Sequence, residues 1–236
     1  MRDNCTTAGG GTPRGEIAPL LPPHPRRILE VGCGSGATLR WLRRSFWPES
    51  WYAGVDINDD ALKLAAESLD YAERCDLDER VPDIPDASID LLLCLDVLEH
   101  LKDPWRVLEQ LHGFVAKGGC LIASIPNVRH AAVVLPLLLG GRWEYRDSGI
   151  LDRTHLRFYT RRAAIELVSG AGFSIDAVKG LGTEAGKRGH KFNIATLGLL
   201  SDFLTRQYLI RATKVEATSI TRRTSPPPTC SRRNLR

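Results

Sequence analysis

A chain of 236 residues, 43% hydrophobic and 25% charged, can bury one substantial core with a small appendage and is neither fibrous nor low-complexity. The net charge of +4 is uneven: from Arg206 onward eight Lys/Arg face the single acid Glu216, leaving residues 1–205 at −3, so the basic balance belongs to a tail and argues against a specific nucleic-acid groove. The six cysteines form no CxxC pair and no Cys/His metal spacing, which argues against disulfide or metal frameworks and for a reducing, cytoplasmic setting.

Residues 1–25 combine a Gly/Pro/Thr-rich start, without an apolar signal core, and the stiff PLLPPHP; they are expected to be a disordered lead-in to a domain spanning 26–213. RILEVG (27–32) reads as a buried strand, followed by a Gly-rich turn and the helical ATLRWLRRSF. WYAGVDI (51–57) is the next strand, and NDDALKLAAESL (58–69) a helix with Asn58 as N-cap. IDLLLCL (89–95) is a third apolar strand. DPWRVLEQLHGFVAK (103–117) is a helix with Pro104 in its first turn, and CLIASIP (120–126) a fourth strand. Residues 127–160 form a variable insertion or lid. TRRAAIELVSGAGF (160–173) is then a helix stopped by glycines, and SIDAVKG and QYLIRAT are the last strands. Residues 214–236 show no packing pattern and are expected to be a disordered basic tail. Apolar strands alternating with amphipathic helices predict an α/β fold, a doubly wound, mostly parallel seven-stranded sheet with helices on both faces.

The chemistry-bearing residues cluster after the strands. ILEVGCGSG carries Gly32, Gly34 and Gly36 into a helix start, where the backbone can turn tightly and approach a ligand with free N–H groups. The spacing is not G-x-G-x-x-G, which argues against a dinucleotide pyrophosphate. Asp56 ends the second strand, where an acid can accept both hydroxyls of a ribose. Asp76 precedes a buried strand and can accept an adenine amino group, with Leu77 packing on the ring.

ILEVGCGSG, GVDI, RCDLDE, LLLCLDVLEHLKDPWRVLEQL and CLIASIPN, in that order, resemble the class I S-adenosylmethionine-dependent methyltransferases, over about residues 26 to 212. The resemblance implies a Rossmann-like fold and S-adenosyl-L-methionine as cofactor. It implies that Glu30, Gly32, Gly34 and Gly36 hold the methionine portion, Asp56 the ribose hydroxyls and Ile57 the adenine face. Asp76 and Leu77 would contact the adenine edge, and Leu95 would line the pocket beside the sulfonium. Glu99 and His100 belong to the family-like LEHL pattern, with His100 expected to orient a loop or cap a helix rather than move a proton. Relatives often have a helical extension before the first strand; the prolines and glycines here predict none, and so a more open pocket or one closed by a partner.

SIPNVRH, GRWEY and GILDRTHLRFYT narrow the resemblance to methyltransferases found with cell-surface polysaccharide and O-antigen biosynthesis, and more loosely to quinone-biosynthesis O-methyltransferases. Methyl transfer to an alcohol needs alignment, desolvation and a base. His155 is the candidate base or acceptor-orienting residue, with Asp152 fixing its tautomer or binding acceptor hydroxyls. Arg146 and Arg157 would grip an anionic group. Trp143 and Tyr145 would stack on a sugar face, with Tyr159 completing the acceptor wall. Within the same segment Thr160 is the expected N-cap, and Leu156 and Phe158 are expected as apolar anchors. The run 129–139 is apolar nearly all round, a lid with some core contact or, alternatively, a membrane-surface patch. The implied function is O-methylation of a sugar or glycolipid-like small acceptor without a metal. The alternatives are a quinone or lipid-like aromatic acceptor, or a non-catalytic fold that binds the cofactor or a partner protein. The sequence leaves the oligomeric state open.

Overall fold

The computed structural model describes residues 11–182 and 201–215. Seven strands form one sheet: β1 Arg27–Val31, β2 Trp51–Asp56, β3 Tyr71–Arg74, β4 Ile89–Leu95, β5 Val115–Pro126, β6 Phe173–Leu181 and β7 Gln207–Lys214. Their order is β3-β2-β1-β4-β5-β7-β6. The first five strands pair in parallel, and β7 runs antiparallel between β5 and β6. The order reverses between β1 and β4, which places a crevice at the carboxyl ends of these strands.

Helices α1 Ala37–Ser45, α2 Asp59–Ala66, α3 Pro104–Phe114, α4 Ala131–Gly140, α5 Arg161–Gly170 and the single turn α6 Ser201–Leu204 complete the fold. Local chemistry sets their starts. The Asn58 side chain accepts from the Asp60 and Ala61 N–H groups, Asp103 accepts from Arg106 N–H, and Thr160 accepts from Ala163 N–H. Two clusters of buried apolar residues sandwich the sheet; one holds Leu29, Leu92, Leu108 and Leu167, the other Ile28, Leu39, Leu91 and Ile122.

Two expectations need correction, and the seventh strand had no assigned place in the sequence. α3 stops at Phe114 and β5 begins at once, because the β-branched Val115 turns extended and pairs with Ile89. The strand Tyr71–Arg74 has no sequence signal of its own: it is four residues long and none of them is buried, so no apolar run marks it. Most importantly, the lead-in is not disordered throughout. Gly15–Leu20 forms a 3-10 helix, and its Ile17 and Leu20, three residues apart and therefore on one face, are buried against Ile28, Leu39 and Leu42. Ile17 is fully buried, so Ile17→Ala is expected to destabilise the chain by about 2–4 kcal/mol in urea unfolding. An unchanged midpoint would show that the segment does not pack.

Among the described residues Cys33, Cys75, Cys94 and Cys120 are free thiols and buried, and no helix is long and apolar enough to cross a membrane. The expected disorder of residues 1–10 and 216–236 lies outside the described residues.

Candidate functional site

The turn after β1 forms the floor of the crevice. Gly32 N–H and Cys33 N–H both donate to the Val55 carbonyl, at 2.8 and 3.1 Å, which pulls the turn against β2. Gly32 has φ +68, and a Cβ there would lie 2.3 Å from Val97 Cγ2, so only glycine lets the turn meet the segment after β4. Gly34, at φ +51, faces open space, and its N–H donates to Asp56 Oδ2 at 2.7 Å. Gly36 stands at the N-cap of α1. The other Asp56 oxygen accepts from Asn58 N–H at 2.8 Å, so the carboxylate is fixed at the rim with lone pairs to spare. Beside it Ile57 is 55% exposed, an apolar side chain left at the edge of a polar cup.

Glu30 lies on β1 beneath the cup, 3% exposed, and its Oε2 has no hydrogen-bond partner. Burial pushes its carboxyl up to about 8, opposed by the Arg14 charge and reinforced by Asp56. Asp76 accepts from Asp78 N–H across a turn. Leu77 and Leu95 are buried in the two core clusters.

The lead-in contributes a residue that the sequence reading missed. Arg14 N–H donates to Thr38 Oγ1 on α1, which anchors the segment over the glycine turn. Its guanidinium pairs with Glu16 and Asp96 and donates to Ser124 Oγ at 3.1 Å and Gln207 Oε1 at 3.4 Å. It thus crosses the ends of β4, β5 and β7. Pro13, Pro19 and Pro22, within and just after GTPRGEIAPLL, hid it, although Ile17, Leu20 and Leu21 were an apolar signal that the segment packs.

Beyond Arg14 a cavity of about 370 Å³ is lined by Asp96, Glu99, Pro126, His155, Arg206 and Gln207, among others. Glu99 is 1% exposed and neither of its carboxylate oxygens has a partner. Burial, then the Asp96 charge, pushes it up to about 8. His155 Nδ1 lies 3.0 Å from the Ile150 carbonyl. A carbonyl only accepts, so Nδ1 carries a proton and, in the neutral ring, the lone pair falls to Nε2, 4.0 Å from Glu99 Oε1. His100 meets His155 edge to face at 4.8 Å, and its Nδ1 contacts the Thr154 carbonyl at 3.2 Å, holding the loop as expected. Glu99, His100 and His155 each offer an atom within 4.8 Å of the others, close enough to share a proton or a small cation. The 54 residues between His100 and His155 conceal this grouping in the sequence.

The segment 143–160 is sorted by the structure. His155 reaches the chamber, but Asp152 does not set its tautomer: the Asp152 carboxylate accepts from Thr154 N–H and Oγ, closing a local turn, and the Ile150 carbonyl takes the expected role. Arg157 donates to the Lys102 carbonyl and lies over Trp105, so it does not serve the chamber. Tyr159 is 4% exposed and belongs to the core, not to an acceptor wall. Trp143 packs edge to face on Phe158 at 5.2 Å and Tyr145 tilts against the same ring, which is loop-to-body packing. Leu156, expected as an anchor, is 50% exposed, because Leu156 and Arg157 N–H groups both bond the Glu99 carbonyl and turn the side chain outward. Arg146 lines a second cavity, outside the first.

The family model described as "Methyltransferase domain" matches residues 11–178. Over 110 residues the chain is 37% identical to a trans-aconitate 2-methyltransferase of Pseudomonas aeruginosa, covering 46% of this chain and 38% of that protein. It is 30% identical over 135 residues to a ubiquinone biosynthesis O-methyltransferase of Paracidovorax citrulli, covering 55% of each. The aligned region thus spans between about two fifths and somewhat over half the length of these relatives. Among solved structures, an S-adenosylmethionine-dependent methyltransferase from Archaeoglobus fulgidus superposes with a TM-score of 0.62 at 18% identity, covering 85% of this chain and 91% of that one, a likeness of fold.

Proposed function

The chain belongs to the methyltransferase-domain family, and on that premise we propose that it moves a methyl group from S-adenosylmethionine to an oxygen of a small sugar or glycolipid-like acceptor held beside Glu99 and His155. The S-adenosylmethionine-dependent methyltransferase domain carries a cup that suits this cofactor. Asp56 has lone pairs free for a ribose diol, Ile57 offers an apolar face for adenine, and the buried Oε2 of Glu30 lacks a cation to accept from.

When bound, the cofactor supplies a methyl group already activated on a sulfonium. The chain's own residues then have three tasks: alignment, exclusion of water and removal of a proton. The Ile150 carbonyl holding His155 Nδ1, which turns Nε2 toward Glu99, is the observation that carries the O-directed reading. An acceptor oxygen between Nε2 and Glu99, 4.0 Å apart, lies within hydrogen-bond reach of both and can give its proton to the imidazole. Glu99, once ionised, steadies the imidazolium. Labelled cofactor incubated with the chain and cell-envelope extracts should mark a sugar-containing fraction. Label confined to prenyl quinones would favour the second reading, a quinone-like acceptor. That reading draws support from α4, where Leu135, Leu138 and Leu139 are 51%, 73% and 85% exposed.

Glu30 makes a thermodynamic prediction. Its pKa of about 8 means that at pH 7 the free protein holds this proton; an ammonium placed beside it lowers the pKa and expels the proton. Cofactor binding at pH 7 should therefore release close to one proton, read as an enthalpy that changes with the ionisation enthalpy of the buffer. Glu30→Gln should remove that dependence. A wild-type enthalpy independent of buffer would refute this role for Glu30.

A further inference from the structure

Outside the inner chamber lies a second cavity of about 640 Å³, and the two share the wall made by Gly149, Ile150, Gly182 and Arg206. The outer cavity is lined by three guanidiniums, Arg142, Arg146 and Arg206, against the single carboxylate Glu144. Among the described residues none of the three arginines has a carboxylate partner, in contrast to Arg129 and Arg153, which pair with Asp202 and Asp147 nearby.

Each of the three stands on a fixed stretch of backbone. Arg206 N–H donates to the Leu181 carbonyl, and the Arg206 carbonyl accepts from Asn127 N–H, which pins it between the ends of β6 and β5. Arg146 is clasped by Leu151 and Arg153 at 2.8 and 3.0 Å. Arg142 N–H closes onto the Pro136 carbonyl at the end of α4. Burial, then the Arg206 charge, holds the neighbouring His130 below the usual imidazole range. Val133, Pro136, Ile150 and Leu151 supply apolar wall between these polar groups. Guanidiniums without carboxylate partners, on fixed backbone around a hollow with apolar stretches of wall, form an anion-binding arrangement, and their planar forks favour oxyanions.

Building on the methyl-transfer reading, we infer that the acceptor carries a doubly charged oxyanion, a phosphate or a pair of carboxylates, bound by Arg142, Arg146 and Arg206 in the outer cavity while its reacting oxygen enters the inner one. Arg206, common to both cavities, marks the passage. The anion sets which molecules enter, and Glu99 and His155 act on the oxygen at the other end. The inference assigns Arg146 the anion-holding role that the sequence suggested, replaces Arg157 and adds Arg142 and Arg206.

The test is calorimetry on the full chain with S-adenosylhomocysteine present, titrating glucose 6-phosphate, tricarballylate and the uncharged methyl glucoside. At least one of the two anions should bind measurably more tightly than the glucoside, and the stronger of the two identifies phosphate or carboxylate as the preferred group. Arg142→Gln, Arg146→Gln and Arg206→Gln should each weaken that anion by about tenfold while affinity for S-adenosylhomocysteine stays unchanged. If S-adenosylhomocysteine binds but neither anion does, or if the triple variant binds the anion as well as wild type, the inference is overturned. Failure of S-adenosylhomocysteine itself to bind would instead refute the cofactor reading on which the inference rests.

Discussion

Asp56→Ala is expected to lower affinity for S-adenosylmethionine by about 100-fold or more while leaving the fold intact. Two hydrogen bonds from ribose hydroxyls to a charged carboxylate are worth about 1.5–3 kcal/mol each, and 1.4 kcal/mol corresponds to a factor of ten in binding. The residue has a second task that raises the loss. Its Oδ2 holds Gly34 N–H at 2.7 Å and its Oδ1 holds Asn58 N–H at 2.8 Å, so one side chain ties the glycine turn to the start of α2. Asp56 is half-buried at the end of an edge-proximal strand, which keeps the cost to stability modest. Asp56→Asn keeps the shape but turns an N–H₂ toward one of the two backbone donors, and should fall between wild type and alanine. An Asp56→Ala protein that binds the cofactor as well as wild type would remove Asp56 from the site.

His155→Ala is expected to leave cofactor affinity unchanged and to lower turnover by at least about tenfold, the lower range for loss of a general base being about 100-fold when no water replaces it. Glu99→Gln should also lower turnover, and the two losses should not add, because both residues act on the same proton. The pH profile separates their roles. Ionisation of Glu99, pushed up to about 8, steadies the imidazolium, so the wild-type rate should rise as pH passes through about 8 and Glu99→Gln should lack that limb. The effect on stability has the opposite sign. A carboxyl whose folded pKa lies above its unfolded value binds its proton more tightly when folded. Glu99 and Glu30 therefore support the fold fully below the ordinary carboxylate range, and that support is lost as pH rises through about 8. Turnover of His155→Ala equal to wild type would reduce His155 to a packing residue.

How far the sequence revealed this can be judged residue by residue. The sheet and the caps Asn58 and Thr160 were legible because apolar runs and side-chain oxygens act over a few residues, and the structure uses them where the sequence places them. The glycine turn and Asp56 were legible because a strand, a turn and an acid at the end of the next strand form a local pattern. Arg14 was not. Its role depends on Asp96, Ser124 and Gln207, as much as 193 residues away, and its segment looked like a proline-rich tail until Ile17 was seen buried. The expected Asp152–His155 pair failed for a related reason. Asp152 had a nearer partner in the Thr154 N–H, and the imidazole found the Ile150 carbonyl, a backbone group that no side-chain pattern records. Glu99 was noticed as part of a motif, but its burial and its approach to His155 arise only when the loop 150–157 folds over the end of β4.

The cup between the glycine turn and Asp56 is expected to hold S-adenosylmethionine. Titrating S-adenosylmethionine into the purified chain by calorimetry tests it most directly. Saturable binding of one cofactor per chain is expected, abolished or sharply weakened by Asp56→Ala; no detectable heat or saturation with a folded wild-type chain would rule the cup out as the cofactor site.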